Sequence, residues 1–357
     1  MEDLGPTGAT EPQLLALARQ GDAAAFERLV APRRRELYAH CYRMMGAVQD
    51  AEDALQESLL AAWRGLGSFQ ERSSLRRWLY QVTTHACLRL VSQRRGRLLS
   101  PDHGPPRQDT GDLGEPVAGP VWLEPLKDDE GESASDLFTS PASDPAARYL
   151  RRENVELAFV AALQHLPATQ RAVLILREVL DLSAAETAET LETTIASVNS
   201  TLQRARQTVQ ERVPPLSQQS ELKALGATGV GTLANAFVAA WEGADVPALL
   251  SLLTEDARFT MPPLPAWFDG RENVVRFFSE RIFATPWRLL PIRANGQLGF
   301  AGYLRQPGSD RFRLGGVNLL TLCGGRIAQI TAFLDPAACQ QFALPLELAE
   351  KNLHPDR

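Results

Sequence analysis

Cysteine is scarce in this chain of 357 residues; the four present, Cys41, Cys87, Cys323 and Cys339, are far apart and form no CxxC pair. Neither a zinc ribbon nor a disulfide framework is indicated, and a reducing compartment fits. Long apolar runs are also missing. None approaches the roughly 18–20 residues of a membrane helix, and the opening MEDLGPTGATEPQ has neither a basic nor an apolar leader segment. The expectation is a cytoplasmic protein without a membrane partner. Internal repeats are absent too, which sets aside solenoids.

What is present is ordinary for globular chains: 44% apolar and 22% charged residues, over a length that suggests two or three domains. The net charge of −6 taken alone argues against a nucleic-acid binder, but the charge is uneven. Between Arg33 and Arg97 there are twelve arginines against six acidic residues, whereas Leu99 to Ala147 holds eleven acids against two cations. A basic block followed by an acidic stretch often accompanies nucleic-acid binding.

Residues 12–98 read as helices: Leu55, Leu59, Ala62 and Leu66 recur at helical spacing, as do Leu75, Leu79, Val82, Ala86 and Leu90. Residues 99–147, rich in Pro, Gly, Asp and Ser, read as an acidic flexible linker. Inside it Val121-Trp122-Leu123-Glu124-Pro125-Leu126 is more apolar than solvation requires, so it is either a docking segment or a stray turn. Residues 148–213 are helical again. Ser183 and Glu186 make a capping box, the turn Glu192-Thr193-Thr194 follows, and a second helix opens with Thr194 as N-cap and Ile195, Val198 and Leu202 facing inward. This is the helix-turn-helix pattern. Residues 214–230 look like a second linker. From 231 to 346, helices near 232–253 and 272–283 accompany strands near 257–261, 287–294, 298–305, 311–323 and 326–334, an α+β pattern.

Three segments carry a resemblance. Asp50-Ala51-Glu52-Asp53-Ala54-Leu55-Gln56-Glu57-Ser58, then Ala62-Trp63, then Phe69 and Ser73-Ser74-Leu75-Arg76-Arg77-Trp78-Leu79-Tyr80, resemble region 2 of an extracytoplasmic-function (ECF) sigma factor of bacterial RNA polymerase. Leu166-Pro167, Gln170-Arg171 and Gln203-Arg204-Ala205-Arg206 resemble region 4 of the same family. Met261-Pro262-Pro263-Leu264-Pro265 and Ile330-Thr331-Ala332-Phe333-Leu334 are similar to a SnoaL-like, NTF2-like cone domain. The order of parts is similar to the SigG-like subgroup. The fold class implied is multidomain: all-α sigma region 2, a helix-turn-helix region 4, and an α+β cone.

The resemblance implies a sigma factor that binds core RNA polymerase and promoter DNA, without a cofactor, a metal or an enzymatic activity of its own. Asp50, Glu52, Asp53, Gln56 and Glu57 would meet the basic β′ clamp helices, while region 4 would meet the β flap. Phe69, Arg72, Arg76, Arg77, Trp78, Tyr80, Arg94 and Arg95 would hold the opened minus-ten DNA, aromatics for bases and cations for phosphates. Thr194, Ser197, Asn199, Ser200, Thr201 and Arg204 would read the minus-thirty-five element from the second helix. Asn199 has the groups either to read adenine or to cap a neighbouring carbonyl. The family pattern has Gly where this chain has Glu192, and usually Asn and an acid where it has His85 and Arg89, so promoter specificity does not carry over. Trp122, Leu123, Glu124 and Pro125 would bridge the linker and the cone, through which the C-terminal domain regulates the sigma regions. Trp241, Trp267, Arg293 and Asn295 would line a ligand pocket or pack in the core. The turn Cys323-Gly324-Gly325-Arg326-Ile327 lacks the acid usual before its glycines. An anti-sigma protein or a small-molecule ligand is a further partner in prospect. The alternatives are a ligand-responsive helix-turn-helix regulator and a fused cyclase or isomerase; the cone segment has no histidine before His354, which weakens the latter.

Overall fold

The computed structural model describes residues 9–93, 96–119, 121–128, 156–213 and 216–349. The chain forms two compact units, one of residues 1–96 with 163–209 and the other of 97–162 with 210–357.

In the first unit, α1 (Glu11–Arg19) opens on a capping box between Thr10 and Gln13. Asp22 caps α2 (Ala23–Met45) by accepting from the amides of Ala24 and Ala25, and α2 ends on Gly46 at φ 76°, the left-handed position glycine adopts freely. Helices α3 (Val48–Gly65) and α4 (Leu75–Gln93) complete this bundle, with Leu37, Met44, Ala54 and Leu79 in its core. The chain passes between units along α5 (Leu157–Gln164). It re-enters the first unit as α6 (Ala168–Leu174), extended by a π-helical turn over Ile175–Val179, then α7 (Ala184–Thr190) and α8 (Ile195–Gln210).

The second unit is built on a seven-stranded sheet: β1 (Leu253–Thr260), β2 (Trp267–Asp269), β3 (Trp287–Ala294), β4 (Gln297–Arg305), β5 (Arg311–Cys323), β6 (Arg326–Phe333) and β7 (Glu347–Ala349). The order is β2-β1-β6-β5-β4-β3, with β1 and β6 parallel and the other pairs antiparallel. Strand β7 extends the β6 edge of β5, beside Arg311–Arg313. Phe237, Phe259, Phe277, Phe278 and Phe300 fill one face together with Trp241. On the other face Ala301, Tyr303 and Phe312 are covered by Leu344 and Leu348. Alternation explains β4, where Leu298 and Phe300 face one way and Ala301 and Tyr303 the other. On β5, however, Phe312 and Leu320 share parity and yet lie on opposite faces. The cause is a bulge: Gly302 pairs with Gly316 and Tyr303 with Leu314, so Gly315 is the extra residue that reverses the faces.

Helices α9 (Gln218–Glu242), α10 (Val246–Leu252), α11 (Arg271–Glu280) and α12 (Pro336–Gln340) surround the sheet. By length and composition α9 is long enough to cross a bilayer, but it breaks at Gly226 (φ 65°) and buries Phe237, Ala240 and Trp241 in the cone. Two expectations change here. Residues 218–225 of the presumed second linker are helical, and their Gln218, Glu221 and Leu222 are buried; Pro214 and Pro215 lie outside the described residues. Residues 99–119 and 121–128 of the presumed flexible linker belong to the second unit and are hydrogen-bonded to it, whereas 120 and 129–147 lie outside the described residues.

Two glycines separate local from tertiary effects. A Cβ on Gly231 in α9 meets nothing within 4 Å, whereas one on Gly316 falls 2.7 Å from the Phe333 carbonyl oxygen and 3.0 Å from Leu334 Cδ2. Gly231→Ala should stabilise the protein by about 0.5–1 kcal/mol through helix propensity. Gly316→Ala should destabilise it by about 1–3 kcal/mol through overpacking, with thermal melts as the readout.

Candidate functional site

The outer face of α3 exposes Glu52, Asp53 and Gln56, with Leu60 48% exposed one turn later. Asp50 is not part of that open face: it sits in the first turn of α3 and is 8% exposed. Glu57 forms an ion pair with Arg89 of α4.

The segment between α3 and α4 turns inward. Phe69 is 6% exposed, its ring centroid 5.0 Å from that of half-buried Trp78, and its carbonyl accepts from Arg19 Nη2 at 2.5 Å. Trp63 packs edge-on against Phe26 at 5.1 Å. Tyr80 is buried as well: its hydroxyl donates to Glu36 Oε2 at 3.3 Å, and the Arg76 guanidinium lies 5.0 Å over its ring while pairing with the same glutamate at 2.9 Å. Desolvation, with the Glu36 charge second, raises the phenol above its ordinary range. Arg72 is exposed and makes no ion pair among the described residues. Arg94 and Arg95 lie outside the described residues.

Two buried bases hold this unit together. His40 Nε2 lies 3.0 Å from Thr84 Oγ1, whose own hydrogen goes to the Tyr80 carbonyl at 2.7 Å; Nε2 therefore carries the imidazole proton, and Nδ1 is left buried without a partner. Burial, helped by the neighbouring Arg43 charge, lowers this imidazole to a pKa of about 3. Arg171 of α6 is 3% exposed and donates to carbonyls: Met44 O at the end of α2, Gln164 Oε1 at 2.8 Å, and Gln164 O and Leu166 O, each at 3.2 Å. Burial lowers its pKa to about 10, so the guanidinium stays charged at neutral pH, beside the negative end of the α2 dipole.

The helix-turn-helix forms as its capping residues dictate. Ser183 and Glu186 close the capping box of α7, and Thr194 Oγ1 accepts from the Ser197 amide at 3.1 Å to start α8. Val198, Leu202 and Ala205 face inward, leaving Thr194, Ser197, Asn199, Ser200 and Arg204 exposed. Two residues depart from the expectation. Thr201 is 7% exposed, on the inner side, where it meets Arg204 Nη2 at 3.3 Å, whereas Ile195 is 50% exposed. The apolar stripe of α8 thus starts at Val198 and takes in Thr201, three residues on.

In the second unit residues 98–128 wrap the cone. Leu98 and Trp122 form a parallel bridge, Trp122 Nε1 donates to the Val117 carbonyl at 3.0 Å, and the His103 and Trp122 rings lie 4.3 Å apart. Trp122, Leu123 and Pro125 are buried, and Glu124 is half-buried. Further contacts reach the cone directly: Ser100 Oγ to Leu264 O, the Arg107 amide to Trp267 O, Trp267 Nε1 to Gly104 O, and Thr110 Oγ1 to Glu280 Oε2. The tightest junction is the β3–β4 turn. Leu126 N donates to Asn295 Oδ1 and Asn295 N donates to Leu126 O, both at 2.8 Å; Asp128 accepts from Gly296 N at 3.0 Å and pairs with Arg293 at 3.8 Å. Gln341 brackets the same strand, donating to Pro125 O at 2.7 Å and accepting from Lys127 N at 2.9 Å.

The four residues expected around a ligand are engaged in different places. Trp241 is inside the aromatic core, Trp267 holds Gly104, and Arg293 and Asn295 hold the linker. The turn lacking its acid has one from elsewhere: Glu221 of α9 accepts from the Gly324 and Gly325 amides at 3.0 and 3.2 Å. Gln218, one turn earlier, bonds both the amide and the carbonyl of Leu322, and Glu156 accepts from the Gln219 amide at 3.0 Å. Glu221 and Gln341 were missed by sequence reading because no short motif connects them to their partners. Asn295-Gly296 between two alternating strands was readable as a hairpin turn, and both residues do have positive φ, 55° and 67°.

Comparison with known proteins assigns these parts. The Sigma-70 region 2 family matches residues 29–97, Sigma-70 region 4 matches 156–209, and the SnoaL-like domain matches 234–330. The ECF RNA polymerase sigma factor SigG of Mycobacterium tuberculosis is 39% identical over 331 residues, covering 92% of this chain and 85% of that protein. The chain belongs to the ECF RNA polymerase sigma factors. The sigma-H factor of Pseudomonas aeruginosa is 26% identical over 214 residues, 60% of this chain and 99% of its own. The crystal structure of M. tuberculosis SigJ, 23% identical, covers 90% of this chain and 99% of its own with a TM-score of 0.56, so the fold is shared. In this sigma factor region 2 thus spans most of α2 with α3 and α4, region 4 spans α5–α8, and the SnoaL-like domain lies in the cone.

Region 2 should lose stability in acid because of His40. Its folded pKa, about 3, lies below the ordinary 6.5, so the unfolded chain takes up the proton first as pH falls. The contribution is complete above pH 6.5 and falls by about 1.4 kcal/mol per pH unit below it, roughly 2 kcal/mol by pH 5. Denaturant melts at pH 7.5 and 5 should show this difference, and His40→Gln should remove most of it.

Proposed function

We propose that this ECF sigma factor docks on core RNA polymerase through the α3 face, opens the minus-ten element on α4, reads the minus-thirty-five element with α8, and is tuned by its own SnoaL-like domain through the 98–128 segment. The sigma function rests on the match to SigG across nearly the whole chain, C-terminal domain included. For core binding the supporting residues are exposed Glu52, Asp53 and Gln56, whose carboxylates suit the basic β′ clamp helices through charge-assisted bonds. On region 4 the exposed polar row Ser197, Asn199, Ser200 and Arg204 suits base edges and phosphates in a major groove.

Regulation by the cone rests on one observation, the reciprocal hydrogen bonding of Leu126 and Asn295. Through it the cone holds the described part of the chain that follows region 2, up to residue 128. The cone also holds the segment that follows region 4 in the chain, where Gln218, Gln219 and Glu221 bond the β5–β6 turn and Glu156. Residues 126–128 and 218–221 are thereby tied to the two turns at one end of the sheet. A ligand-responsive cone has less support, since the residues expected around a ligand pack in the core or bond residues 104 and 126–128.

Transcription in vitro with core RNA polymerase and a promoter selected from a library tests both parts. The full-length protein should direct a specific transcript, and its absence together with failure to retain core in a pull-down would overturn the sigma reading. Asn295→Ala removes one acceptor for the linker and leaves both sigma regions intact. It should change transcript yield by a factor on the order of five, the equivalent of about 1 kcal/mol. An unchanged yield would overturn regulation through this junction.

A further inference from the structure

The α7 helix carries three acids at helical spacing along one edge, Glu186, Glu189 and Glu192, the last in the turn before α8. That edge lies on α4. Arg77 pairs with Glu186 at 3.4 Å and with Glu189 at 2.5 Å, and His85 Nε2 donates to the Thr190 carbonyl at 2.8 Å. Glu192 borders an open groove of about 320 Å³ whose other walls include Trp78, Gln81, Val82, His85 and Arg89 of α4.

The acids of this edge stay open to solvent although Thr187, Ala188 and Thr190 of the same helix are buried. Glu189 is 73% exposed at its side chain, and Glu192 is exposed too. Glu192 also adopts φ 52°, a left-handed conformation that favours glycine. A carboxylate held in a conformation suited to glycine, at the edge of a groove with its own arginine and histidine, is placed for charge. Carboxylates and phosphates make the same kind of charge-assisted bond to arginine.

We propose that the acidic edge of α7 occupies the nucleic-acid groove of region 2 in the free protein, standing in for DNA phosphates on Arg77, so that α7 and single-stranded DNA compete for one surface. The proposal rests on the reading above that α4 faces promoter DNA. Free protein then binds DNA weakly, and any event that lifts region 4 from α4 uncovers Arg77, His85 and the groove together. The contact is made of exposed ion pairs, each worth little, so it is reversible and sensitive to salt.

The test measures binding of the full-length free protein to a fluorescein-labelled single-stranded DNA of mixed sequence at low ionic strength. The double variant Glu189→Gln/Glu192→Gly should bind about fivefold more tightly than wild type, the scale of the one Glu189–Arg77 ion pair released and the Glu192 charge taken from the groove edge. Adding Arg77→Gln should cancel that gain. A control pair with the same charge change away from α4, Glu11→Gln/Glu115→Gln, should leave affinity close to wild type. Equal tightening by the control pair would reduce the effect to net charge and overturn the proposal. So would unchanged binding in the Glu189/Glu192 variant while Arg77→Gln lowers initiation by the holoenzyme, a result that leaves the promoter-facing reading of α4 standing. If Arg77→Gln alters neither free-protein binding nor initiation, that reading fails and the mask fails with it.

Discussion

Asn295 donates one hydrogen bond to Leu126 and accepts one from it, and the path of the chain around the cone depends on that exchange. Ordering the backbone over residues 98–128 costs about 1–2 kcal/mol per residue, so isolated contacts would not hold it. The two positive-φ residues Asn295 and Gly296 turn the β3–β4 hairpin so that side chain and backbone face the same incoming strand. Asp128 and Gln341 then add bonds on either side, and Trp122, Leu123 and Pro125 bury apolar surface a few residues earlier. A segment whose composition suits solvent is thereby converted into part of a domain.

Charge in the first unit is organised as pairs of modest strength. Arg76 faces Glu36, Arg89 faces Glu57 and Arg77 faces Glu186 and Glu189, so much of the basic surface is answered within the chain. Such pairs contribute little to stability at the surface. They do set which groups a polyanion has to displace. The deeper polar groups behave differently: Arg171 satisfies backbone carbonyls and His40 remains neutral, and removing either would leave buried polar groups without partners.

The cone illustrates that a fold does not carry its usual use with it. Phe237, Phe259, Phe278, Phe300 and Trp241 pack together in its core. What the domain presents instead are its turns. Asn295-Gly296 grips the linker, and Gly324-Gly325 receives the Glu221 carboxylate that its own turn sequence lacks.

Much of this was readable along the chain. Strands β3 to β6 follow from alternation, the capping box at Ser183 and the N-cap at Thr194 place both helices of the helix-turn-helix, and the motifs of regions 2 and 4 identify the family. These are local signals, set by backbone geometry within a few residues. Side-chain direction was less legible. Phe69, Tyr80, Asp50 and Thr201 carry the residue types of a binding surface but turn inward, because their neighbours Trp78, Glu36 and Arg204 bury or bond them. The ordering of residues 99–119 and 121–128 is hidden from the sequence for the same reason, as their partners lie some 170 residues away at Asn295 and 214 residues away at Gln341. The sequence by itself determined the modules, their order and the helices that carry each reading surface. Tertiary structure alone decided which acids meet which arginines and which loop is held, since those pairings join residues that only packing brings within hydrogen-bond distance.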